Sequence, residues 1–311
     1  MARATRSASR KARVTEAVAT GPLGALSHDE LGVIVDGLAD PLEPVVAVAL
    51  SSTCLGLRTP LRAALEVLKE RHARAVALCR KLGSESCAAL RDAQSLFYSL
   101  SHTEVDKGSR SLNSVDMATL GMILPWMPKL EDLVLTRTGI DSENVQALFA
   151  GLVRGSAPCL CYINLSFNDI GPSGAEALAA ALCKLPGLEL LNLFGNPFGD
   201  QGMASLATPL RKLPHLISLN ISQTDIGDDG LDSLLANLSK DDFKELDDLA
   251  LFNDEVTNKG YAALASALVD GAMPTLTFLP LGDLYAQHAM ADKADALEAR
   301  GIGGCMELLS I

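Results

Sequence analysis

The sequence predicts an α/β solenoid, a curved parallel sheet with helices on its convex side, preceded by an all-α region. Three observations carry that expectation. First, the pattern L-x-x-L-x-L recurs as Leu130/Leu133/Leu135, Leu160/Ile163/Leu165, Leu188/Leu191/Leu193, Leu216/Leu219/Ile221, Leu246/Leu249/Leu251 and Leu276/Leu279/Leu281, at intervals of 28 or 30 residues. Second, a helical stripe follows each of the first five at fixed phase: Val145/Leu148/Phe149/Leu152, Ala175/Leu178/Ala179/Leu182, Met203/Leu206/Ala207/Leu210, Leu231/Leu234/Leu235/Leu238 and Tyr261/Leu264/Ala265/Leu268. That i, i+3, i+4, i+7 spacing puts four apolar side chains on one helix face. Third, hydrophobic residues make up 48% of the chain but aromatics only 4%, so the interior is Leu, Ala and Val, which suits regular short elements.

In chain order, residues 1–22 read as a basic, Ser/Ala/Arg-rich disordered tail, or alternatively as an organelle transit peptide, although no clear apolar face supports the latter. Residues 23–100 read as a helical region. Leu26, Leu31, Ile34, Val35 and Leu38 mark one helix, which Pro41 and Pro44 break. A second segment starts at Val45. Leu61, Leu65, Leu68, His72, Val76, Cys79 and Leu82 mark a longer helix stopped by Gly83 and Ser84, and residues 87–100 suggest a fourth.

Residues 101–283 are the solenoid. Met117/Leu120/Gly121/Leu124 looks like the helix of a degenerate first repeat starting near His102, with a polar strand around Val105. Ser173 and Glu176 fit a capping box, and Pro209 is expected to kink or shorten its helix. Residues 284–311 read as a capping helix, stopped by Gly301, and a tail, with the helix covering the last strand's edge.

Net charge is -12, and from Glu16 onward 38 acids face 21 bases. So acidic a body repels phosphate backbones, which argues against nucleic acid and for protein partners. No apolar run approaches the ~20 residues that cross a bilayer. Cys54, Cys79, Cys87, Cys159, Cys161, Cys183 and Cys305 show no disulfide framework and read as reduced thiols of an intracellular protein, cytoplasmic or nuclear. No metal-ligand spacing, phosphate-cradling loop or nucleophile–base pair occurs, so no enzyme, cofactor or metal is expected. Acids at Asp241, Asp242, Glu245, Asp247, Asp248, Asp254 and Glu255 suggest a solvated loop.

The phased leucines resemble the leucine-rich-repeat superfamily. The period and the G-x-x-G of Gly171/Gly174, Gly199/Gly202 and Gly227/Gly230 are similar to its ribonuclease-inhibitor subtype. That family places Asn eight residues after the first leucine. Asn168 and Asn196 keep it, Thr138 and Thr224 substitute, donating a similar hydrogen bond to the next turn, and Asp254 departs. Residues 26–58 resemble an F-box, with Leu26, Glu30, Leu31, Ile34, Leu38, Pro41, Leu50, Cys54 and Leu57 at matching positions; Ser27 replaces its Pro, and no aromatic follows Cys54. This resemblance implies a substrate receptor of a cullin-type ubiquitin ligase, docking the adaptor through Leu26, Leu31, Ile34 and Leu38. The subtype is also shared with Ran GTPase-activating proteins, which implies a GTPase regulator as an alternative. A structural subunit of a larger assembly is a third reading.

Within each strand the residues between the leucines point away from the core. They form the outward columns Asp132, Tyr162, Leu190, Ser218, Asp248, Phe278; Val134, Asn164, Asn192, Asn220, Ala250, Pro280; and Thr136, Ser166, Phe194, Ser222, Phe252, Gly282. Tyr162, Asn164, Leu190, Asn192, Phe194, Asn220, Asp248, Phe252 and Phe278 are the candidate contacts for a protein partner on the concave face, because aromatics are costly to expose and amides suit hydrogen bonding.

Overall fold

The structure, a computed structural model, describes residues 40–45, 48–49, 62–99, 112–155, 157–239, 241–252, 255–281 and 291–302. The chain divides into two compact units, Met1–Leu90 and Arg91–Ile311.

In the first unit, the leucine spacing produces α1 (Arg62–Lys81), which buries Leu68, Ala75, Leu78 and Cys79 on one face. Gly83 ends it as the residue types demand: at φ +73 it lets Ser84 N–H reach the Cys79 carbonyl (2.9 Å), the αL stop that glycine favours. α2 (Cys87–Arg91) follows. Residues 26–39, 46–47 and 50–58 of the F-box-like stretch, including Leu26, Leu31, Ile34 and Leu38, lie outside the described residues.

Among the described residues of the second unit, six parallel strands pair in chain order: β1 (Ser95–Ser99), β2 (Asp132–Thr136), β3 (Tyr162–Asn164), β4 (Leu190–Asn192), β5 (Ser218–Asn220) and β6 (Asp248–Ala250). Between them run α3 (Ser114–Ile123), α4 (Ser142–Phe149), α5 (Pro172–Leu182), α6 (Gly199–Arg211) and α7 (Asp228–Leu235), with α8 (Asn258–Val269) after β6. Consecutive helices pack on one another. Every leucine that opens a repeat, from Leu130 to Leu276, is buried, as are the paired inner positions of each strand. A helix with its side chains is about 10 Å across, twice the ~4.8 Å between paired strands. The coil therefore bends with the sheet on the inside.

Several expectations change. The first strand is β1, in register with β2 through Leu96↔Leu133 and Tyr98↔Leu135, so the stretch from Cys87 is a short helix followed by a strand rather than one helix to residue 100. The segment around Val105 is outside the described residues. The capping box at Ser173 does not form: Gly171 is the N-cap and Pro172, with its fixed φ, takes the first helical position. α6 continues through Pro209 to Arg211, because a proline one turn from the end removes few bonds. Leu235 and Leu238 are only half-buried, since α7 stops at Leu235 and Ala236 turns extended. After β6, Phe278 pairs with Asp248 but no strand develops; Pro280 has no N–H to give the next ladder bond. The described part of the C-terminal segment contains α9 (Ala294–Ala299), which packs on α8. Arg300 donates to the carbonyls of Leu268, Ala272 (3.1 Å) and Met273 (3.0 Å), at the negative end of that helix.

The turns repeat as strictly as the leucines. Asn168 Nδ2 donates to Leu135 O and Leu165 O at 2.8 Å, tying one repeat to the next, and its Oδ1 accepts from Thr138 N (2.9 Å) and Ile140 N (3.1 Å). Asn196 likewise donates to Leu165 O and Leu193 O. Thr138 and Thr224 bond the carbonyl three residues back in their own turn, and Thr138 Oγ1 also lies 3.1 Å from Asn168 Oδ1 in the next repeat; a hydroxyl has one proton to donate where the amide NH2 has two. On the convex side, Asp200 Oδ1 accepts from Gly227 N and Gly230 N, and Asp228 Oδ1 from Thr257 N and Gly260 N, so one repeat caps the next repeat's helix.

Asp242, expected in a solvated loop, is buried. Its carboxylate accepts from Lys212 Nζ (2.6 Å) and from Ser239 N and Oγ (both 2.8 Å). Burial alone would raise its pKa; these donors outweigh burial and lower it to about 2. A folded pKa below the unfolded value means that the stabilisation is complete above the ordinary carboxylate range and is lost as pH falls towards 2. Asp242→Asn is expected to cost on the order of 2 kcal/mol at pH 7. Urea midpoints of the two proteins should converge between pH 4 and pH 2.5; a gap that stays constant would refute the linkage.

Candidate protein-binding face

The sheet face opposite the helices carries the outward columns. Leu190 and Phe278 are exposed; Tyr162, Asn164, Asn192, Phe194, Asn220, Asp248 and Phe252 are half-buried there. Not every outward position is open: Val134, Ser166 and Ser222 are buried. Gly282 lies outside the described residues.

The middle amides have a defined polarity. Asn164 Oδ1 accepts from Ser166 N, Asn192 Oδ1 from Phe194 N and Asn220 Oδ1 from Ser222 N, each at 3.0 Å. A backbone N–H can only donate, so each side-chain oxygen is turned to its own strand end and the NH2 is turned outward. Asn164 spends a donor on Tyr162 Oη (2.8 Å). The face between Leu190, Phe194 and Phe252 thus presents the NH2 groups of Asn192 and Asn220.

At one margin a cluster forms that the sequence did not announce. The Arg137 guanidinium lies 4.2 Å from the centre of the Phe167 ring, and Phe167 meets Phe194 edge-on at 4.7 Å. Arg137, Phe167, Gly195 and Gln223 hold the same place in successive repeats and all have φ between 51° and 67°. Only Gly195 signals that backbone by its residue type. Phe97, 65% exposed on β1, is a further outward aromatic; its strand was read as helix.

The other margin is acidic. Glu131, Glu189 and Asp247 are exposed. The Cys161 thiol is pushed up by burial and then by the carboxylates of Glu189, Asp132 and Glu131. Asp248, bonded by Ser218 Oγ (2.9 Å), is raised by burial, and Asp247 adds to that. Among the described residues no group of His, Cys, Asp and Glu has the arrangement of a metal site, and no helix is long and apolar enough to cross a membrane.

Residues 156–179, 186–207 and 212–235 match the family model described as "Leucine Rich repeat". These units are leucine-rich repeats. The stacked parallel strands and intervening helices extend the same architecture on both sides of the matched segments. No curated protein sequence matches the chain. Among solved structures, one titled "Crystal structure of TLR13-ssRNA13 complex" is similar at 18% identity and a TM-score of 0.32, covering 65% of this chain and 31% of that one. This chain therefore spans about a third of the length of the solved chain it matches. Leucine-rich repeats serve generally as binding scaffolds, and their presence here suggests a protein–protein interaction module.

Proposed function

We propose that the chain is a non-catalytic recognition module that holds a protein partner on the inner face of its repeats. The observation that carries this reading is the pair of oriented amides. Asn192 and Asn220 have their oxygens committed to the backbone, and their NH2 groups face outward between apolar neighbours. That arrangement suits a partner segment offering carbonyl or carboxylate oxygens, flanked by apolar side chains against Leu190, Phe194 and Phe252.

Affinity purification with mass spectrometry identifies the partner. The double variant Asn192→Asp/Asn220→Asp then tests the face. Aspartate keeps the acceptor that each strand end uses, so the fold is retained, while two donors become charged acceptors. Binding is expected to weaken about a hundredfold, the loss of roughly 1.4 kcal/mol at each site. Unchanged affinity with an intact fold would remove the inner face from the interface.

The finer reading is a substrate receptor of a cullin-type ubiquitin ligase. Its support is the F-box-like pattern of residues 26–58 preceding the repeats. Co-purification with the ligase adaptor, lost on Leu31→Asp and Ile34→Asp, supports it. No binding at micromolar concentration removes that refinement and leaves the recognition module standing.

A further inference from the structure

In the first unit, two thiols meet. Cys79 Sγ, buried in the last turns of α1, lies 3.3 Å from Cys87 Sγ, half-buried at the first position of α2. The segment between them is short and folded back: Gly83 has φ +73, Ser84 N–H bonds the Cys79 carbonyl, and Ser86 Oγ accepts from Ala89 N (3.0 Å) at the start of α2. Both cysteines are free thiols, as are Cys159, Cys161 and Cys183.

We propose that Cys79 and Cys87 form an intramolecular disulfide site, closed by exchange with a small-molecule disulfide and opened by a reducing thiol. The sulfurs need to approach by only about 1.2 Å to reach bonding distance, a movement within reach of a χ1 adjustment in a segment that ends at a glycine stop. The order of attack follows from exposure. Burial first, and then the hydrogen bond to Cys87, raises the Cys79 thiol to about 12, so it stays protonated. Cys87 is the more accessible sulfur and exchanges first. Its thiolate attacks glutathione disulfide; the glutathione S–S bond breaks, a mixed disulfide forms on Cys87, and one glutathione thiolate leaves. Cys79 then gives up its proton and attacks Cys87 Sγ, expelling the second glutathione. One disulfide is consumed, one is made, and two glutathione thiols are released. The product ties the end of α1 to the start of α2.

The test uses the full chain, purified reduced and equilibrated with increasing glutathione disulfide, then acid-quenched, alkylated and digested with trypsin without reduction. Cleavage after Arg74, Arg80, Lys81 and Arg91 separates residues 75–80 from residues 82–91. The expected product is these two peptides joined, two hydrogens lighter than their sum and separated by reduction. It should appear at no more than a tenth of the oxidant that puts glutathione on half of the exposed Cys159 or Cys183. Cys87→Ser should abolish the joined peptide. Two separately alkylated peptides, or glutathione on each, at an oxidant level that fully modifies Cys183 would overturn the proposal and leave a thiol–thiol packing contact.

Discussion

Gly121→Ala is expected to destabilise the repeat unit by about 2–3 kcal/mol, although alanine is the better helix former. Gly121 sits inside α3, where an alanine in open surroundings would gain about 1 kcal/mol. Here an added Cβ would stand 2.5 Å from the Ala147 carbonyl oxygen and against the Leu148 carbonyl as well, at the end of α4. Both are backbone atoms that no rotamer change can move. The approach is mutual, because a Cβ at Gly151 would lie 2.7 Å from the Gly121 carbonyl oxygen. The two helices can part only by opening the interior around Met117, Leu120, Val145 and Leu148, all fully buried. Overpacking of this kind outweighs the propensity gain. Urea unfolding of Gly121→Ala measures it, with Gly187→Ala as the control: there the nearest atom to an added Cβ is 3.9 Å away and the expected change is within about 0.5 kcal/mol. Equal stabilities for the two variants would mean that the α3–α4 approach yields easily.

The same glycine shows how far residue types alone can be read. Its place in the apolar stripe was legible, because Phe149, Ala179, Ala207 and Ala265 fill the matching position in other repeats. Why this repeat needs glycine was not legible, because the reason is a backbone from the next helix. The interior leucines could be read directly: their spacing is fixed by one strand and one helix, and chemistry allows little else at those points. β1 escaped because its core pair, Leu96 and Tyr98, lies 37 residues before Leu133 and Leu135, outside the 28 or 30 of the other repeats. Asp242 was misread because its carboxylate is held by Ser239 and by Lys212, thirty residues away, which the acids around it do not reveal. For the candidate face, the outward columns followed from strand alternation. The direction of the amides, the Arg137–Phe167–Phe194 cluster and the burial of Ser166 and Ser222 did not, because they arise from hydrogen bonds and left-handed backbone that residue type leaves open.

Asn168→Ala is the second large effect, about 3 kcal/mol or more. The position is buried, and the amide joins two turns: its NH2 bonds the Leu135 and Leu165 carbonyls, and its oxygen takes the N–H groups of Thr138 and Ile140. Alanine leaves those backbone groups without their amide partner in an interior that water reaches poorly. Each orphaned group costs about 1–3 kcal/mol, reduced where the turn relaxes. Asn168→Thr separates the two roles of the side chain. A threonine here can serve its own turn, as Thr224 Oγ1 does with the Ile221 carbonyl at 2.7 Å, but its single hydroxyl proton cannot also serve the neighbouring turn's carbonyl. Its cost should be about half that of alanine. Hydrogen exchange localises the damage: the amides of Thr138 and Ile140 should lose protection in both variants, while Leu219, two repeats away, should keep its own. If Asn168→Ala and Asn168→Thr were equally destabilising, the own-turn bond would contribute nothing, and the asparagine would act only as a clamp between successive repeats.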